Sequence, residues 1–600
     1  MKTSKHQKKN DAQGQSSGAS RRKVVLGAVV ALGVAAAVTT GVVVMSPSDA
    51  IARDWSNKEL RIGTIQEFEN LNPLIANMVV SRYLLGAVDR SELIVLDPKN
   101  TYKPQAAERI PTLENGDAKK ITENGVEKLQ VTWRIRKEAQ WGDGTPLTGK
   151  DYRFAWKVGS SNNVSVPVKD PYTDIERFEI DTKDPKVFTL TYKRARWDFF
   201  KIMFAALPEH IEAGVFKKFG DQTEGYDRNN SYVKDPKNKG LYTGPYRVAD
   251  IKLGSHVELV RNEKWWGKAP SIEKIVLRLI PSSGTLESNL ISGNIDYIMN
   301  VGLSLEEALA FDKRVQSEKM PFTVNFIDSL VFEHIDLNLD NPLLASPQVR
   351  QALLHAIDRE SMVKALFQGK QKVATHFIHP TDPWFTDDKS KVTTYDYSPR
   401  KARNLLKAAG FAPGANGILQ KDGKPFRIGF ASTSGNKVRE NVQVFIKNQL
   451  SQVGIEVEIK NQPAKVFFGE TTSKRKFDAM AMYAWVSTPE SDPTQNYHSK
   501  SIPSEANSYS GTNYMGWKNP KVDAAIETLN QSFDAAERKR QAQIVLAEYT
   551  KDLPSLPLYY RANVTVMPKT LAGVEPTSHI YAETYGVENW SFKPENLSKK

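Results

Sequence analysis

Apolar and polar residues alternate at Leu129, Val131, Trp133 and Ile135, again at Phe188, Leu190 and Tyr192, and at Ile455, Val457 and Ile459. A period of two predicts strands with one buried face. Elsewhere the spacing lengthens to three and four. After Ser346-Pro347, the residues Val349, Ala352, Leu353, Ala356 and Ile357 fall on one helical face, with Ser346 as N-cap and the proline in the first turn. Ser398-Pro399 opens a second such helix, with Ala402, Leu405, Leu406 and Ala409 facing inward and Gly410 as the left-handed residue that ends it. Strands and helices mix throughout without a fixed repeat, which predicts an α/β fold. Asn115-Gly116, Asn124-Gly125 and Thr243-Gly244-Pro245 mark turns, and Asn341-Pro342 separates two large halves. A chain of 600 residues exceeds what one core holds, so two or more lobes are expected.

The N-terminal stretch follows another pattern. Ser20-Arg21-Arg22-Lys23 precedes an uncharged run from Val24 to Met45, and Ser46-Pro47 breaks it. Such a run reads as an export signal, and Ala50-Ile51-Ala52 fits a small-residue cleavage site. Its 22 residues, at about 1.5 Å each, would equally span a bilayer. Residues 1–52 are therefore read as a signal peptide or an N-terminal membrane anchor, and the body as periplasmic or otherwise extracytoplasmic.

Charge and composition narrow the chemistry. The formal charge is +13, but residues 1–52 hold seven Lys/Arg against two Asp, which leaves about +8 spread over the rest. No basic cluster carries the aromatic spacing of a nucleic-acid-binding sheet, so nucleic acid is not an expected partner. The absence of cysteine excludes disulfides, thiolate metal sites, thiol nucleophiles and a lipid-modified N-terminal cysteine. His376 and His379 are the one close histidine pair, in a proline-flanked segment that reads as a loop, so no metal is expected. Ser398 and Lys401 have the spacing of a serine–lysine nucleophile, but a serine before proline is better used as a helix cap. Glu490 and Asp492 form a carboxylate pair in a polar loop. No phosphate-binding loop, dinucleotide fingerprint or zinc-protease helix occurs, so no cofactor is expected and an enzyme is the lesser alternative.

From Leu129 onward a series of motifs accumulates. The segment from Trp133 to Asp151, with Trp141-Gly142-Asp143-Gly144-Thr145-Pro146-Leu147-Thr148 at its centre, resembles the signature of the family 5 extracellular solute-binding proteins of ABC transporters, the oligopeptide- and dipeptide-binding proteins. Its residues also make physical sense as a strand, a glycine-dependent turn, and Thr148 as N-cap of a helix around Phe154 to Val158. Further similar motifs follow in family order: Leu207-Pro208-Glu209-His210, Gly244-Pro245-Tyr246, Trp265-Trp266-Gly267, Ser292-Gly293-Asn294-Ile295-Asp296, Asn519-Pro520-Lys521-Val522-Asp523 and Leu556-Pro557-Leu558-Tyr559-Tyr560.

The resemblance implies a bilobed clamshell of the type II periplasmic-binding-protein kind, a monomer that closes over a peptide or peptide-like solute and delivers it to the transmembrane subunits of an ABC permease. Lobe I would comprise 53–335 and 565–600, with an inserted subdomain at about 97–185, and lobe II 336–564, the chain crossing near Asp336 and Asn563. In peptide-binding relatives an Asp three residues beyond a Trp captures the ligand's amino group. Here that tryptophan is Trp485 and the position holds Thr488, with Glu490 nearby as the replacement candidate. Asn77, Met78 and Val79 correspond to a first-lobe strip that lies along the ligand and could hydrogen-bond to it as an added strand would; Asn77 equally suits a helix cap. His334 and Tyr559 are hinge-lining candidates with ordinary packing as the alternative, as core packing is for Trp485.

Overall fold

The computed structural model describes residues 58–593, apart from 69, 77, 168, 202, 203, 281, 301, 464, 465, 508, 510 and 580. The leader, with its apolar run, and Asn77 lie outside the described residues. Among the described residues no helix is long and apolar enough to cross a membrane.

Local patterning is realised where the signals were strongest. The strand Val126–Arg134 buries Leu129, Val131 and Trp133, and Val187–Tyr192 pairs with it antiparallel, setting Leu190 opposite Val131 and Phe188 opposite Trp133. Thr148 caps the helix Gly149–Gly159 in a reciprocal box with Asp151, whose carboxylate accepts the Thr148 N–H at 2.9 Å. Ser398 Oγ accepts the Lys401 N–H at 3.3 Å at the start of Pro399–Ala408, and Gly410 follows that helix with φ +92°. The serine oxygen is thus used as a cap, while Lys401 Nζ bonds Asp396 at 2.9 Å. The helix after Ser346 departs from expectation. It spans Pro347–His355, and the Ser346 hydroxyl makes no cap bond, because it donates to Gln348 Oε1 instead.

The sheets supply the architecture. One large sheet runs in the order Glu456–Ile459, Arg427–Ala431, Met480–Val486, Phe322–Leu337, Ser555–Pro568, Tyr297–Ile298, Glu59–Thr64, Lys274–Leu279, His256–Arg261 and Tyr246–Lys252. Its two longest strands, Phe322–Leu337 and Ser555–Pro568, form an antiparallel pair at the middle. Their register runs unbroken from Phe322↔Pro568 to Asp328↔Ala562, shifts, and resumes at Phe332↔Tyr560. A shift of this kind is a bulge, where a ladder bends. Before it the pair is flanked by Tyr297–Ile298, and after it by Met480–Val486.

Separate cores form on the two sides. One gathers residues from 60 to 299 and is completed by Met567, Leu571, Ala582, Val587 and Trp590 from the far end of the chain. Another is built from residues 335 to 559. Attached to the first is a four-stranded antiparallel sheet in the order Ala118–Glu123, Val126–Arg134, Val187–Tyr192 and Ile175–Ile180.

Candidate ligand-binding cleft

The strand Met480–Val486 leaves the second core as it proceeds. Met480 to Tyr483 are buried, Ala484 and Trp485 are half-buried, and Val486 is 60 % exposed. Burial thus fades toward the strand's end and brings Trp485 out beside the register shift, opposite Phe332. Its indole stacks on Tyr514 at 6.1 Å and meets Tyr483 edge-on at 5.4 Å. With Tyr514 also half-buried, the two rings form an aromatic shelf open on one side, suited to apolar or planar groups.

The loop beyond this strand is tightly self-bonded. Thr488 N–H and hydroxyl both lie 3.0 Å from Ser491 Oγ, which donates back to Thr488 O at 2.6 Å. Glu490 takes a left-handed φ of 52°, and its N–H donates to Asp382 Oδ2 at 2.7 Å. Its carboxylate accepts Lys201 Nζ at 3.1 Å, so a lysine from the first half already neutralises it. Asp492 turns away to accept the Thr494 N–H at 2.8 Å, so the two acidic side chains of this loop serve separate partners. Burial pushes the Asp382 carboxyl up to about 6, despite hydrogen bonds from the Trp384 and Glu490 amides.

The other expected residues lie off this strand and loop, although the His334 ring meets Tyr483 at 4.7 Å. Met78 is the N-cap of the helix Val79–Val88, half-buried, and Val79 is 44 % exposed. Extended backbone thus ends at Met78, and an added-strand contact along Val79 is not available because its backbone is helical. His334 is buried, stacked on Phe332 at 4.9 Å, with Nε2 facing the Asp336 carboxylate at 3.2 Å. Asp336 also accepts the Tyr483 hydroxyl. Tyr559 is buried in the second core against Phe367, ring centroids 4.8 Å apart. Only Trp485, Thr488 and Glu490 come together on one strand and its loop.

Sequence reasoning passed over a second ionic group. Glu333, fully buried on Phe322–Leu337, accepts Arg439 Nε at 2.7 Å and pairs with an Arg561 nitrogen at 2.6 Å. Burial would raise its pKa, but Arg561 and Arg439 outweigh it and hold the carboxyl below its usual range. Arg439 also donates to Thr433 Oγ1 at 3.2 Å. The lone acidic residue between Phe332 and His334 was the available signal. His376 uses both ring nitrogens on backbone: Nε2 lies 2.8 Å from Thr386 O, and Nδ1 accepts the Ile378 N–H at 3.2 Å. Burial holds its pKa, and that of His379, down at about 4.

Known proteins share this architecture. Residues 101–505 match the bacterial extracellular solute-binding proteins, family 5 Middle. The oligopeptide-binding protein AppA of Bacillus subtilis is 26 % identical over 539 residues, covering 89 % of this chain and 91 % of AppA. The oligopeptide-binding protein of Thermus thermophilus, solved with a pentapeptide, superposes with a TM-score of 0.69 at 27 % identity, over 91 % of this chain and 98 % of that one. NikZ of Campylobacter jejuni, solved with Ni(L-His), has the same fold, with a TM-score of 0.67 at 22 % identity over 89 % of this chain and 99 % of NikZ. Two cores on one sheet, joined by two long strands and carrying an added four-stranded sheet on the first, make the bilobed clamshell with its inserted subdomain. With two thirds of its length matched, the chain belongs to family 5 of the bacterial extracellular solute-binding proteins.

Proposed function

We propose that this protein captures peptides or peptide-like solutes between its two lobes and hands them to an ABC permease in the membrane, binding rather than transforming them. The carrying observation is the half-open shelf of Trp485 and Tyr514, which emerges beside the register shift in the strands that join the two cores. A ligand touching both lobes would shift the population from open to closed, with the bulge between Asp328 and Phe332 absorbing the rotation. In this reading lobe I comprises 53–335 with 565–600, carrying the inserted subdomain at about 97–185, lobe II comprises 336–564, and the protein acts as an extracytoplasmic monomer. AppA and the Thermus protein, named for oligopeptides, support the peptide class. Thr488, at the position where an amine-capturing carboxylate was expected, favours ligands held by stacking and main-chain contacts.

The test is mass spectrometry of whatever is released by denaturing the protein purified after export. A mixture of short peptides is the expected result, and a single non-peptide species would overturn the peptide class. Trp485→Ala should weaken binding of those peptides about tenfold or more, the loss of a well-packed aromatic anchor. An unchanged Kd would remove the shelf from the site.

A further inference from the structure

An ammonium group is enclosed where the two halves meet. Lys201 Nζ donates to Pro489 O at 3.0 Å, Glu490 O at 3.2 Å and Glu490 Oε2 at 3.1 Å. Three acceptors match the three N–H bonds of an ammonium. Its remaining sides face the rings of Trp197 at 4.5 Å and Tyr102 at 5.6 Å, and the lysine side chain is only 9 % exposed. The acceptors come from the second half of the chain, while the cation and the rings come from the first.

Glu490 is built to make this arrangement. Its left-handed backbone, disfavoured for a residue with a side chain, aims two successive carbonyls and a carboxylate at one point, and Asp382 holds the turn through the Glu490 N–H. Carbonyl oxygens, a carboxylate and aromatic faces around one cation are the chemistry of ammonium recognition. We propose that the Pro489–Glu490 turn, Trp197 and Tyr102 form an ammonium subsite of the cleft that the chain fills with its own Lys201, so that ligand is accepted without capture of its amino group there. The inference rests on the solute-binding reading and specifies its ligand class. Solutes with a blocked or absent amine bind as well as those with a free one.

Deleting the occupant tests the subsite directly. Lys201→Ala removes three methylenes and the ammonium, which n-propylammonium reproduces. At saturating n-propylammonium chloride, compared with equal potassium chloride, the Tm of the variant should rise by about 1–2 °C, while the wild type and the double variant Lys201→Ala, Glu490→Gln stay unchanged. Equal responses of the single variant to both salts would overturn the proposal. One peptide in free and N-acetylated form then reads the consequence: Kd values within about twofold for the wild type, and about tenfold tighter binding of the free amine by Lys201→Ala. A wild type that prefers the free amine tenfold overturns it as well. Rescue without binding of either peptide supports the self-filled subsite and removes the peptide reading instead. Should Lys201→Ala fail to fold, labelling of wild-type lysines with acetic anhydride replaces it: Lys201 should react at least tenfold more slowly than the 79 % exposed Lys437, and equal rates overturn the proposal.

Discussion

Glu333 and Glu490 are both carboxylates held by cations, and they are held in opposite ways. Glu333 sits on a paired strand with two arginines, so positive charge exceeds negative, and its carboxyl is kept ionised. Glu490 sits in a loop with Lys201 donating to it and Asp382 beside it, and burial pushes the Asp382 carboxyl up to about 6. The first cluster joins Phe322–Leu337, Ser555–Pro568 and the helix Lys437–Ser451. Glu333 lies just beyond the register shift between Asp328 and Phe332, so bending at that shift leaves it with Arg439. The second is shared between residues 201 and 490, one from each half, and its members recover water if the halves separate. Glu333 is held from two sides by arginines, whereas the contact shared between the halves rests on one lysine.

The largest effect should come from breaking the first cluster. Glu333→Gln leaves two arginines without their anion, and urea unfolding should show a loss of about 3–5 kcal/mol. A loss below about 1 kcal/mol would put Glu333 among ordinary surface pairs and erase the contrast. Acid sharpens the comparison next. Between about pH 3.8 and 6 the folded Asp382 holds a proton that the unfolded chain has released, so the group favours folding below that window and opposes it above. Wild type should therefore lose about 2 kcal/mol relative to Asp382→Asn as pH rises from 4 to 7, and parallel stability curves would contradict the shifted carboxyl. The smallest effect on stability is expected from Glu490→Gln, about 1 kcal/mol, because Lys201 keeps two carbonyl acceptors and regains water by lobe separation. The same variant should show a larger radius of gyration by X-ray scattering without ligand; an unchanged radius would mean the bridge does not hold the halves together.

What the sequence conveyed was local. Thr148, Ser398 and Gly410 mark helix ends because their chemistry acts within a few residues, and Leu129 to Trp133 alternate because one sheet face is buried along its length. Ser346 shows the limit of such signals, since a neighbouring Gln348 offers its hydroxyl a competing partner. The order of family-like motifs carried the two-lobed architecture, which no periodicity specifies. The candidate site was legible along one strand and its loop, from Trp485 to Glu490. Lys201 and Glu490 are 289 residues apart in sequence, and nothing near either signals the other. Glu333 was visible as a charge in an apolar strand, but its arginines lie on a helix and a strand more than a hundred residues away.

The first core closes with residues from the other end of the chain. Trp590 and Val587 are fully buried in it, and the guanidinium of Arg90 donates to Tyr585 O at 2.9 Å and pairs with Glu588. A ribosome that has finished Tyr297, adding about 5–20 residues each second, needs roughly 15–60 s more to supply Trp590. Throughout that interval the earlier half lacks its final layer.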